Sequence, residues 1–127
     1  MQEKHLFEYA VIRIVPRVEQ EEFLNIGVIL YSSKPPFLQV RFHLDEGRLH
    51  AFSNTLDMEE VLGHLHAFER ICIGGPEAGP IGKLDMASRF RWLTATRSTI
   101  VQTSKVHPGL CSDTQQALER LFTQLVL

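Results

Sequence analysis

The sequence predicts an α+β domain spanning residues 1–127: a small, mainly antiparallel sheet of three to four strands covered by two longer helices. Three observations carry that prediction. Runs rich in β-branched residues fill the first third of the chain, at Glu8 to Val15, Ile26 to Tyr31 and Leu38 to Phe42. Apolar residues then recur at helical spacing from Met58 to Cys72 and again near the C-terminus. Clusters of glycine and proline separate these segments.

In the first strand Ala10, Ile12 and Ile14 share one face, and Tyr9, Val11, Arg13 and Val15 share the other, so Arg13 interrupts an otherwise apolar row. Pro16 lacks the amide donor and ends the ladder. Lys34-Pro35-Pro36 makes the short turn that joins the next two strands as an antiparallel hairpin. His43 to Phe52, with Leu49 and Phe52 three apart, reads as a short helix. In the long helix Met58, Val61, Leu62, Leu65, Phe68, Ile71 and Cys72 fall on one stripe. Asp57 is its natural N-cap, Glu60 stands at the capping-box position, and Leu56 and Val61 form a hydrophobic staple. Gly74 and Gly75 supply a left-handed C-terminal residue, and Pro76 prevents continuation.

Residues 73–83 hold Gly74, Gly75, Gly79 and Gly82 with Pro76 and Pro80, and are expected to form a mobile loop. They do not form a phosphate loop, because no Gly-Lys-Ser/Thr follows and a helix stands where such a loop needs a strand. Asp85 to Thr94 is expected as a capped helix with Met86, Phe90 and Leu93 inward; the alternative is a strand around Arg89 to Leu93. Thr99 to Gln102 is a short strand and Pro108-Gly109 a turn. Ser112 or Asp113 caps a final helix whose apolar face is Ala117, Leu118, Leu121, Phe122 and Leu125. Trp92, the single tryptophan, is expected in the core.

With 44% hydrophobic and 22% charged residues the chain has the composition of a globular protein rather than a disordered one. Its net charge of −2 argues against bulk attraction to nucleic acid or membrane. The charge is uneven, however. Residues 83–107 carry Lys83, Arg89, Arg91, Arg97 and Lys105 against Asp85 alone, a local +4 that leaves −6 elsewhere. Cys72 and Cys111 form no C-x-x-C pattern and read as buried free thiols. The N-terminal residues lack the apolar core of a signal peptide, and no apolar run approaches the ~20 residues of a membrane span, so a cytoplasmic location is expected.

Two segments concentrate chemistry. Arg13 to Leu30 places two arginines and three glutamates between strands where a plain hairpin would carry Asn-Gly. Arg89 to Gly109 answers with arginines, hydroxyls and a histidine. Arg13, flanked by valine-rich strand, needs a carboxylate if buried; Glu19 or Glu22 is the candidate. The alternative is that Arg13 faces a pocket and holds an anion or an acidic partner. Asn25 reads as a turn residue, and Gly27 permits a bulge or a close backbone approach. Arg97, Ser98 and Thr99 are the best anion cradle, a guanidinium fork beside two hydroxyls; Arg89 and Arg91 lie nearby. Glu22 and His107 are the candidate proton carriers, since the ordinary pKa of histidine, about 6.5, lies near neutrality. His64 and His66 point about 200° apart on a helix and cannot chelate one metal. Neither metal nor cofactor is expected.

The run Tyr9-x-x-x-Arg13-x-x-Pro16-x-x-x-x-x-Glu22-Phe23-x-Asn25-Ile26-Gly27-Val28 resembles the N-terminal signature of the bacterial domain-of-unknown-function family 3037. Arg89-Phe90-x-Trp92-Leu93, Arg97-Ser98-Thr99-Ile100 and His107-x-Gly109 are similar to its later part. The family has no assigned activity. The resemblance implies a genomic setting beside a HipA-like kinase, and with it an accessory role. Two functions from different classes therefore stand. One is a binding module that docks on a partner protein such as that kinase through the Arg13/Glu22 and Arg89–His107 surface. The other is an enzyme acting on a phosphate-containing or nucleic-acid substrate through an Arg/Glu/His cleft. Nucleic-acid binding without catalysis is a third, less favoured.

Overall fold

Apolar side chains on both faces of one strand require cover on both sides, and β1 (His5–Ile14) is built that way. In the computed structural model, which describes residues 4–16, 22–95 and 99–127, β1 is the centre of a five-stranded antiparallel sheet. β2 (Leu24–Ser32) pairs along one side of β1, and β3 (Phe37–Phe42) pairs with β2 at the outer edge. Along the other side of β1 lie β4 (Val101–Thr103), opposite Ile12–Ile14, and β5 (His107–Cys111), opposite His5–Tyr9.

Three helices cover one face: α1 (Glu46–Phe52), α2 (Met58–Ile73) and α3 (Met86–Leu93). Leu49, Val61, Leu65, Phe68, Phe90 and Leu93 pack there on Ala10, Ile12, Ile14 and Ile29. The opposite face is covered by α4 (Thr114–Leu125), whose Ala117, Leu118, Leu121 and Phe122 bury Phe7, Val28 and Leu30. The Asp caps read from the sequence are formed. Asp57 accepts from the backbone N–H of Glu59 and Glu60, Asp85 from Ser88, and Asp113 from Gln116. Cys72 and Cys111 are buried and free. No helix among the described residues is long and apolar enough to cross a membrane.

Four expectations are corrected. The α+β class and the antiparallel sheet covered by two longer helices, α2 and α4, are as expected, but the sheet has five strands where three to four were expected. Pro108-Gly109 is no turn but the middle of β5, with Pro108 opposite Glu8. An edge strand has one row of amides facing outward, where a missing donor costs nothing. The Gly/Pro segment is organised as 3-10 turns over Pro76–Lys83, kinked at Gly79 (φ 69°). Gly75 N–H donates to Gly82 O at 3.0 Å, an approach close enough that a side chain at Gly82 would meet Gly75 and Ala78. Trp92, finally, is 46% exposed, while its neighbours Phe90 and Leu93 take the inward positions on α3.

Candidate functional site

Gly27 shapes the centre of the candidate site. A Cβ there would stand 2.8 Å from Arg41 O and 2.9 Å from Phe42 Cβ, so only glycine lets β3 come this close. Immediately before it the β1–β2 ladder slips: Ile12 pairs with Gly27, but Arg13 pairs with Asn25. The extra residue, Ile26, turns into the core beneath α1 and α2. This bulge re-aims Asn25, placing its side chain on the same face as Arg13.

Asn25 is held from below. Its Nδ2 donates to Leu125 O at the end of α4 (3.2 Å), which settles the orientation of the amide and leaves Oδ1 as the free acceptor. Among the described residues, Asn25 Oδ1 and Arg13 Nε are the buried side-chain polar atoms with no hydrogen-bond partner. One is an acceptor, the other a donor, and they sit on directly opposed residues. The Arg13 guanidinium lies under the ring of Phe23, 3.9 Å from its centroid. Burial holds Arg13 below the ordinary arginine pKa. Phe23 is 47% exposed and was not foreseen. Its signal was its setting, since its neighbours at strand spacing, Glu21 and Asn25, are polar and offer no apolar row to join.

Farther along the same face Tyr9 packs against His107 across the β1–β5 ladder, the two rings tilted at 36° with centroids 5.4 Å apart. Arg13 and His107 thus share a face but not a reaction centre. The four residue steps from Tyr9 to Arg13 span about 13 Å, well beyond hydrogen-bond reach. Glu22 is exposed and forms no ion pair with Arg13 among the described residues.

Of the remaining candidates, the described arginines and Thr99 are engaged elsewhere. Arg89 is buried and donates from Nη1 to Ile71 O and Cys72 O (both 2.8 Å) and from Nε to Leu84 O (3.1 Å), so it caps the C-terminus of α2. Arg91 forks onto Glu8 on the face under α1, α2 and α3, opposite Arg13, at 2.7 and 2.8 Å. That hydrogen bonding raises the Arg91 pKa. Thr99 Oγ1 donates to Val101 O at 2.6 Å. Arg97, Ser98 and Glu19 lie outside the described residues. No group of three or more His, Cys, Asp or Glu among the described residues is arranged to hold a metal ion.

Searches for similar curated proteins and for similar solved structures each find no match. The family described as Protein of unknown function (DUF3037) matches residues 9–126. That span runs from Tyr9 in the site row to the last turn of α4, where Leu125 holds Asn25, and the chain belongs to this family.

Proposed function

We propose that this protein is a binding module that docks on a partner protein through the Arg13 face of its sheet, with a HipA-like kinase as the candidate partner. The observation that supports this most is that a donor, Arg13 Nε, and an acceptor, Asn25 Oδ1, are both unmet on directly opposed residues. A phosphate or carboxylate presents acceptors only, and would set a second acceptor against Asn25 Oδ1. A peptide or carboxamide presents a C=O and an N–H and meets both atoms. Leaving such an atom buried and unmet costs about 1–3 kcal/mol, which a partner supplying the missing groups recovers. Swinging the half-exposed Phe23 ring off Arg13 uncovers the guanidinium, and aromatic residues with arginine are enriched in protein interfaces. Arg89 and Arg91 drop out of the docking surface, because backbone carbonyls and Glu8 hold them. The candidate partner comes from the genomic setting that the family resemblance implies.

The test is calorimetric titration of the purified protein with the HipA-like kinase of the same organism. Phe23→Ala and Arg13→Lys should each weaken binding at least about tenfold, as interface anchors do, while Arg91→Ala leaves it unchanged. Circular dichroism confirms that the variants are folded. Absence of binding, or equal loss in Arg91→Ala, defeats the proposal. An RNA complex that weakens steeply with salt would instead support the nucleic-acid reading.

A further inference from the structure

We propose that β3 is a docking edge for a second copy of this chain, two copies joining by antiparallel pairing of their β3 strands about a two-fold axis at Val40. β3 ends the strand order, and no described residue pairs with its outer side. The hydrogen bond from His43 N–H to Ile26 O (2.9 Å) fixes which backbone groups face which way. His43 continues the β2–β3 register, so Arg41, Gln39 and Phe37 turn their N–H and C=O toward β2. Leu38, Val40 and Phe42 turn theirs outward.

That outward set is self-complementary in one register. With Val40 opposite Val40 of the second copy, Leu38 stands opposite Phe42, and every outward N–H and C=O of these residues meets its counterpart. A slip of one pair in one direction sets Arg41 against Arg41; the other direction leaves Phe42 unmatched. In the favoured register Gln39 lies opposite Arg41, so no like charges meet. Edge strands are ordinarily blocked by proline, lysine or a bulge. β3 has no proline or lysine and pairs with β2 without a slip. Its one charge, Arg41, is drawn onto α4 by Glu119 at 3.3 Å and by the ring of Phe122.

The flank of the edge fits the same occupant. A cavity of about 340 Å³ lies between β3 and the last turn of α2, lined by Leu38, Gln39, Val40, Glu69, Cys72 and Ile73. Ile73 on its rim is 82% exposed. Leu38 lies on this side, so Phe42 of the second copy, opposite it, brings its ring to the cavity.

The test is sedimentation equilibrium on the full chain from micromolar to millimolar concentration, with three variants. The wild type should dimerise. Val40→Pro removes an outward donor and leaves the ladder to β2 intact, so it should be a folded monomer by circular dichroism. Gln39 is exposed, and its changes spare the fold even if the proline variant does not. Gln39→Glu sets a carboxylate against Arg41 at two symmetric positions and should lower the dimer Kd; Gln39→Arg should raise it, each by roughly two- to thirtyfold. A wild type that stays monomeric, a Val40→Pro variant that still dimerises, or Gln39 changes that shift Kd the same way would each overturn the proposal. Protection of the Val40 amide from exchange only on adding a different protein would show that the edge takes a foreign strand, and would overturn it equally.

Discussion

Replacing Arg89 by methionine should destabilise the fold by roughly 2–4 kcal/mol, and the structure gives the reasons. Arg89 is 8% exposed, and its guanidinium donates to Ile71 O, Cys72 O and Leu84 O. Ile71 and Cys72 belong to the last turn of α2, where carbonyls have no acceptor role inside the helix. Methionine matches the reach of the arginine stem but has no donor, so these carbonyls lose their partner. Each loss costs about 1–3 kcal/mol, offset in part because a charge no longer has to be buried. Gly74 is coupled to this contact. Its φ of 81° and ψ of −177° are accessible in practice to glycine alone, and a Cβ there would stand 2.7 Å from Arg89 Nη1. Gly74→Ala should therefore cost about 1–3 kcal/mol in backbone strain, plus a steric share that vanishes when Arg89 is gone. Urea denaturation of the two single variants and the double variant reads both effects, and the double variant should lose less than the two losses added together. A loss below about 1 kcal/mol for Arg89→Met, or additivity within about 0.3 kcal/mol, would refute the account of Arg89 as the cap of α2.

Three further outcomes are expected. Gly109→Ala should cost about 1–3 kcal/mol in thermal or chemical melts, because a Cβ would stand 2.9 Å from Cε1 of Phe7, a ring 3% exposed in the core beneath α4; a smaller ring substitute at Phe7 should relieve it. Stability should fall as pH rises from about 9 toward 12, since burial pushes the Cys72 thiol from 9.0 up to about 12. A group whose folded pKa is raised keeps its contribution below the unfolded pKa and loses it through the folded one, so urea midpoints of Cys72→Ala should show a shallower alkaline limb. Arg91→Ala should change stability by less than about 1 kcal/mol in the same assay, because its pair with Glu8 has side chains 56% and 28% exposed.

How far the sequence reveals the fold depends on whether a residue's neighbours in sequence are also its neighbours in space. Helical and strand periodicity is such a local signal, and it identified α2, α4 and both faces of β1. Cap chemistry is local as well, and Asp57, Asp85 and Asp113 act as their positions imply. β5 was hidden because Pro108-Gly109 has turn chemistry, and only its place at the sheet edge makes the proline harmless. Arg89 looked like a ligand-binding arginine because the carbonyls it holds lie up to 18 residues away. The site divides along the same line. The glycine of the Asn25-Ile26-Gly27 run announced a bulge or a close approach, and both occur. What the bulge achieves was not legible, because it depends on β3 pressing against Gly27 and on the end of α4, a hundred residues on, orienting the amide of Asn25. Those two distant contacts turn a residue that reads as a turn-former into the acceptor beside Arg13. A variant that restores a regular register at Gly27 would then dismantle the donor–acceptor pair without touching either of its members.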